Sequence, residues 1–107
     1  MIPFTETLNE QKNVVRIVLR PADTIEWPAV ANHLRDKLAE GILNVELDLR
    51  RLSRIDSLGL GIIVGMNVTA SHHGGSFRLL VERGTAIHNL MILTKMHLLL
   101  TIVETDK

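Results

Sequence analysis

The chain has 107 residues, with 12 acidic and 12 basic side chains, no cysteine, and only Phe4, Trp27 and Phe77 as aromatics. That length suits one domain, residues 1–107, with a single core, and 46% apolar against 22% charged residues suits a packed fold over a disordered one. Balanced charge and scarce stacking rings argue against nucleic-acid binding, and the missing thiols exclude disulfides, thiolate metal sites and cysteine nucleophiles.

The segment Phe4 to Leu8 alternates weakly and is followed by the polar turn Asn9–Asn13. Val14-Val15-Arg16-Ile17-Val18-Leu19 is dense in β-branched residues and closed by Pro21, so the two runs predict an antiparallel hairpin. Asp23 or Thr24 is placed to cap a helix whose apolar positions Trp27, Val30, Ala31, Leu34 and Leu38 recur at helical spacing before Gly41 ends it. A strand follows at Val45–Leu49. After the loop Arg50–Ile55, a second helix starts at Asp56-Ser57 and stops after His72-His73 at Gly74-Gly75.

Phe77–Val81 reads as the next strand, the stretch with Ile87, Leu90, Met91 and Leu93 as a third helix, and Leu98–Val103 as the last strand. This order predicts an α/β domain: a mixed central sheet of about five strands, an N-terminal hairpin and then parallel βα units, with helices packed on it. The N-terminus lacks the basic-then-apolar layout of a signal peptide. The longest apolar-plus-glycine run, Leu58 to Met66, is well short of the ~20 residues a membrane helix needs. The expectation is a cytoplasmic protein with no direct membrane insertion.

The chemistry concentrates in Asp56-Ser57-Leu58-Gly59-Leu60-Gly61. A carboxylate and a hydroxyl at a helix start offer acceptors for its unpaired N–H groups, and the positive end of the helix dipole favours a phosphate there. Ser57 therefore reads either as a cap or as a modifiable serine, and Asp56 either as a cap or as a contact for a partner's basic group. On the second helix Leu60, Ile63, Met66 and Ala70 form one stripe and Leu58, Ile62, Gly65 and Thr69 nearly the opposite one. With the first stripe on the sheet, Leu58 and Ile62 stand exposed beside Ser57 as docking candidates.

Other motifs are weaker. Gly59-x-Gly61-x-x-x-Gly65 lacks the strand-end glycine and acidic ribose ligand of a dinucleotide fingerprint. No glycine precedes Ser57 as a nucleophile elbow requires. The five histidines show no metal spacing, and Arg50, Arg51 and Arg54 form one basic cluster, a solvated loop or a site for phosphate, acidic lipid or an acidic partner. No metal, cofactor or catalytic residue is expected.

The strand–loop–Asp-Ser-x-Gly-x-Gly–helix arrangement resembles the STAS domains of anti-sigma factor antagonists and of related modules in anion transporters, and the element order extends the resemblance over nearly the whole chain. It implies a regulator that is not an enzyme, with Ser57 as phosphoacceptor. In that reading the unphosphorylated form binds a serine-kinase anti-sigma factor of histidine-kinase-like ATPase fold, phosphorylation releases it, and a metal-dependent serine phosphatase resets it. Asp23 matches an aspartate near the phosphoserine, although Arg20-Pro21-Ala22-Asp23 keeps only the aspartate of a Gly-Glu-Leu-Asp-like pattern. Leu93-Thr94-Lys95-Met96 likewise departs from Leu-Thr-Gly-Leu. The implied partner surface is Asp23, Asp56, Ser57, Leu58, Gly59 and Ile62. The alternative is the small STAS subunit of a phospholipid-trafficking ABC transporter, or a component of a larger signalling assembly, binding an ATPase partner.

Overall fold

A computed structural model describes residues 4–9, 13–21 and 25–106. Five strands form one sheet in chain order: β1 (Phe4–Asn9), β2 (Val14–Leu19), β3 (Asn44–Asp48), β4 (Ser76–Glu82) and β5 (Thr101–Thr105). β1 pairs antiparallel with β2, from Phe4 opposite Leu19 to Asn9 opposite Val14, and β2 to β5 are parallel throughout. The hairpin followed by parallel βα units is thus the arrangement the sequence predicts. Three helices, α1 (Trp27–Ala39), α2 (Ser57–His72) and α3 (Ala86–Leu93), make the connections.

Strand alternation sorts the side chains. Val15, Ile17 and Leu19 of β2, Val45 and Leu47 of β3, and Phe77, Leu79 and Val81 of β4 are buried in one core with Trp27, Val30, Leu34 and Leu38 of α1, Ile63, Met66 and Ala70 of α2, and Ile87 and Met91 of α3. Each buried Val, Leu, Ile, Phe or Met side chain among them stabilises the fold by roughly 1.5–3 kcal/mol relative to exposure. The other sheet face carries charge: Glu46 bridges Arg16 at 3.2 Å and Arg78 at 3.0 Å, on neighbouring strands in register. The turn from α2 to β4 is tight enough that a Cβ on Gly75 would collide with the Leu43 carbonyl, which accepts the Ser76 N–H at 2.7 Å.

Two boundaries differ from the sequence expectation. α1 begins at Trp27 with Glu26 in the capping position and no side-chain cap, because Pro28 sits in the first turn, where its missing N–H costs nothing; the expected caps Asp23 and Thr24 lie outside the described residues. The last strand begins at Thr101, because Lys95 adopts a left-handed conformation (φ 60°) and throws Met96–Leu98 into a 3₁₀ turn. Leu100 N–H then closes on the Met96 carbonyl at 2.8 Å. Leu98 and Leu99 thereby stay exposed while Leu100 enters the core.

Candidate functional site

The site is built at the corner where β3 hands over to α2. Asp48 closes β3 and is 3% exposed. Its Oδ1 accepts the Arg50 backbone N–H and Nε, both at 3.0 Å, and its Oδ2 accepts Arg50 Nη2 at 2.7 Å. Burial opposes ionisation of Asp48, but the Arg50 hydrogen bonds and charge, with a further contribution from Arg16, outweigh it and hold the carboxyl below its ordinary range. This refines the reading of one basic cluster: all three arginines are exposed, but Arg50 is committed to Asp48. Leu49 N–H donates to the Leu80 carbonyl at 3.0 Å and Leu52 is buried, so the loop is pinned to the sheet before it reaches the helix.

Asp56 is extended (φ −97°, ψ 176°) and caps α2, its Oδ1 accepting the Gly59 N–H at 2.8 Å and its carbonyl the Leu60 N–H at 3.0 Å. Ser57 occupies the first helical position and is exposed. Because Asp56 takes the capping bond, the Ser57 hydroxyl has no hydrogen-bond partner among the described residues, and the backbone N–H groups of Ser57 and Leu58 are also unpaired there. Leu58 stands beside it, 59% exposed.

Gly59 is a correction. It is buried, and a Cβ there would lie 2.6 Å from Trp27 Cε2 and 2.8 Å from Ile55 Cγ1. The glycine lets α2 sit directly on the indole ring, and it offers no docking surface. Ile62 is corrected in part: it is half-buried against the core and lines a cleft of about 250 Å³ between α1 and α2 with Ala31, Leu34 and Gly61. The same seating on Trp27 makes Gly59, Ile63, Met66 and Ala70 the buried stripe, with Leu60 half-buried. The outer face presents Ser57, Leu58, Gly61, Gly65 and Val68, and Cβ atoms on either glycine would meet open space. Asp23 lies outside the described residues.

No side chain among the described residues hydrogen-bonds Ser57 as a base would, and they contain no group of three metal-ligating residues. His88 is locked elsewhere, accepting the Gly84 N–H on Nδ1 at 3.1 Å and meeting Glu104 through Nε2 at 2.8 Å. The Ser57 hydroxyl is thus uncovered, beside a packed base of Gly59, Trp27 and Ile55. What the sequence reading misses is the part that Trp27, Ile55 and the Asp48–Arg50 pair play at this site; the lone tryptophan opening α1 is the available signal.

No protein-family model matches the sequence and no curated protein matches it. Solved structures do. The chain is similar to the crystal structure of TM1081 of Thermotoga maritima, assigned as an anti-sigma factor antagonist, with a TM-score of 0.80 and 25% identity over 95% of this chain and 86% of that one. The solution structure of TM1081 gives 0.73 and 24% over 98% and 82%. An anti-sigma factor antagonist from Mycobacterium paratuberculosis gives 0.74 at 16% identity, over 95% and 86%. The chain therefore has the fold of these antagonists, in keeping with the STAS resemblance.

Proposed function

We propose that this chain is an anti-sigma factor antagonist controlled by phosphorylation of Ser57. The observation that carries the reading is the hydroxyl itself: exposed at the first position of α2, without a hydrogen-bond partner among the described residues, beside the exposed Leu58. In this reading the unphosphorylated surface around Asp56, Ser57, Leu58 and Ile62 docks on a serine-kinase anti-sigma factor of histidine-kinase-like ATPase fold. Transfer of the ATP γ-phosphoryl group to the Ser57 oxygen, with loss of the hydroxyl proton and release of ADP, adds about −1.5 to −2 charges. The dipole and the unpaired N–H groups of Ser57 and Leu58 accommodate that charge within the domain, whereas an apolar docked interface expels it. A metal-dependent serine phosphatase then restores the binding form. The chain acts as regulator and substrate, in the cytoplasm, without catalysis of its own.

The test mixes the purified chain with ATP and the serine-kinase anti-sigma factors encoded in its source genome, followed by peptide mapping. One phosphate on the Ser57 peptide, absent from Ser57→Ala, together with loss of the complex on modification, is the expected result. Equal binding of the modified and unmodified chains overturns the proposal.

A further inference from the structure

The sheet ends at β5, and among the described residues no element pairs with its outer side. Natural edge strands are usually guarded by charged side chains, proline, a bulge or a covering segment. β5 reads Thr101-Ile102-Val103-Glu104-Thr105, four of five residues β-branched, with no lysine or proline, and its one charge, Glu104, is engaged by Arg83 at 3.3 Å and His88 at 2.8 Å within the same domain. Thr105 turns its carbonyl to β4, accepting the Arg83 N–H at 2.8 Å. Alternation along the strand therefore turns the N–H and C=O groups of Ile102 and Glu104 outward.

The outward pattern matches its own reverse. When a second copy runs antiparallel about a two-fold axis through Val103, Ile102 of each copy faces Glu104 of the other, and both residues have their polar groups free for the paired N–H···O=C bonds of that position. On the charged face of the sheet Thr101 meets Thr105 and Val103 meets Val103, favourable β-branched pairs. Glu104 meets Ile102 and never another Glu104, so no like charges oppose. In the chain leading into this strand, the end of α3 and the following turn expose Ile92 (44%), Leu93 (81%), Leu98 (71%) and Leu99 (65%). Exposed apolar side chains of this kind mark interaction sites on soluble domains when they lie together.

We propose that β5 is a self-association edge, through which two copies join their sheets across a two-fold axis. The inference does not rest on the function proposed above, since Ser57 opens α2, beyond the central strand β3, and stays outside this edge.

The chain has no cysteine, which makes cross-linking selective. Val103→Cys places a thiol opposite itself at a Cα separation of about 4.5 Å, within disulfide reach, so mild oxidation is expected to give a reducible covalent dimer. Thr101→Cys alone sets its two thiols about 13 Å apart along the paired strands and is expected to stay uncoupled, while Thr101→Cys with Thr105→Cys couples again. Sedimentation of the unmodified chain is expected to show a mass rising with concentration from 12.0 kDa toward twice that value. Val103→Lys, which puts like charges face to face, is expected to weaken association at least tenfold or so with melting near wild type; Val103→Thr is expected to retain it. A monomer at every concentration, the result for an edge reserved for a different protein's strand, overturns the proposal. So does coupling of Thr101→Cys as readily as Val103→Cys.

Discussion

α2 and α3 both start just beyond the end of a parallel strand, yet they handle the same local problem differently. At α3 the cap is a hydroxyl: Thr85 Oγ1 accepts the His88 N–H at 3.3 Å and donates to the Glu82 carbonyl at 2.7 Å, and Ala86 follows it. At α2 the cap is a carboxylate, and the hydroxyl comes one residue later with nothing to hold it. Threonine as the cap leaves no spare oxygen, whereas aspartate as the cap frees the next side chain for other chemistry. A reactive-looking serine therefore depends on which residue precedes it as much as on the helix it opens.

The largest effect expected from this contrast is on binding. Ser57→Asp should weaken docking on the anti-sigma partner by about 100-fold or more through a charge in an apolar interface, measured by titration calorimetry, while Ala86→Asp at the matching place in α3 should leave docking unchanged. Next comes the floor under the serine. Gly59→Ala should cost about 1–3 kcal/mol by overpacking against Trp27 and Ile55, read by denaturant unfolding, and should shift the emission of the only tryptophan. An unperturbed spectrum and melting curve would show that the indole is not the seat of α2. The two caps follow: Asp56→Ala and Thr85→Ala should each lose about 1 kcal/mol, but only the first should also weaken docking. A change of similar size and opposite sign lies at the far end of α3, where Lys95→Gly should gain about 1 kcal/mol by relieving a left-handed lysine.

That last position illustrates what a sequence hides. The strands and helices were legible because β-branched runs and helical spacing report directly on which faces are buried, and the Asp56-Ser57 start was legible because caps are chemically distinctive. The left turn at Lys95 carried no such signature, so Leu98-Leu99-Leu100 looked like strand although it closes a turn. Gly59 was misassigned for a related reason. A glycine at a helix start says only that a side chain is missing, and whether partner or core fills the gap depends on Trp27, about thirty residues earlier in the chain and on another helix. The arginines are a similar case, since adjacency in sequence does not reveal that Arg50 folds back onto the buried Asp48, two residues before it.

The Asp48–Arg50 pair also sets how the corner bearing Ser57 responds to acid. A carboxyl held below its ordinary value of 3.8 binds its proton more weakly in the native protein than in the denatured chain. Its contribution is therefore complete at neutral pH, declines only as pH falls past the denatured chain's titration range, and disappears once the native carboxyl is itself protonated. Mild acidification leaves the corner between β3 and α2 intact, and only strong acid loosens it.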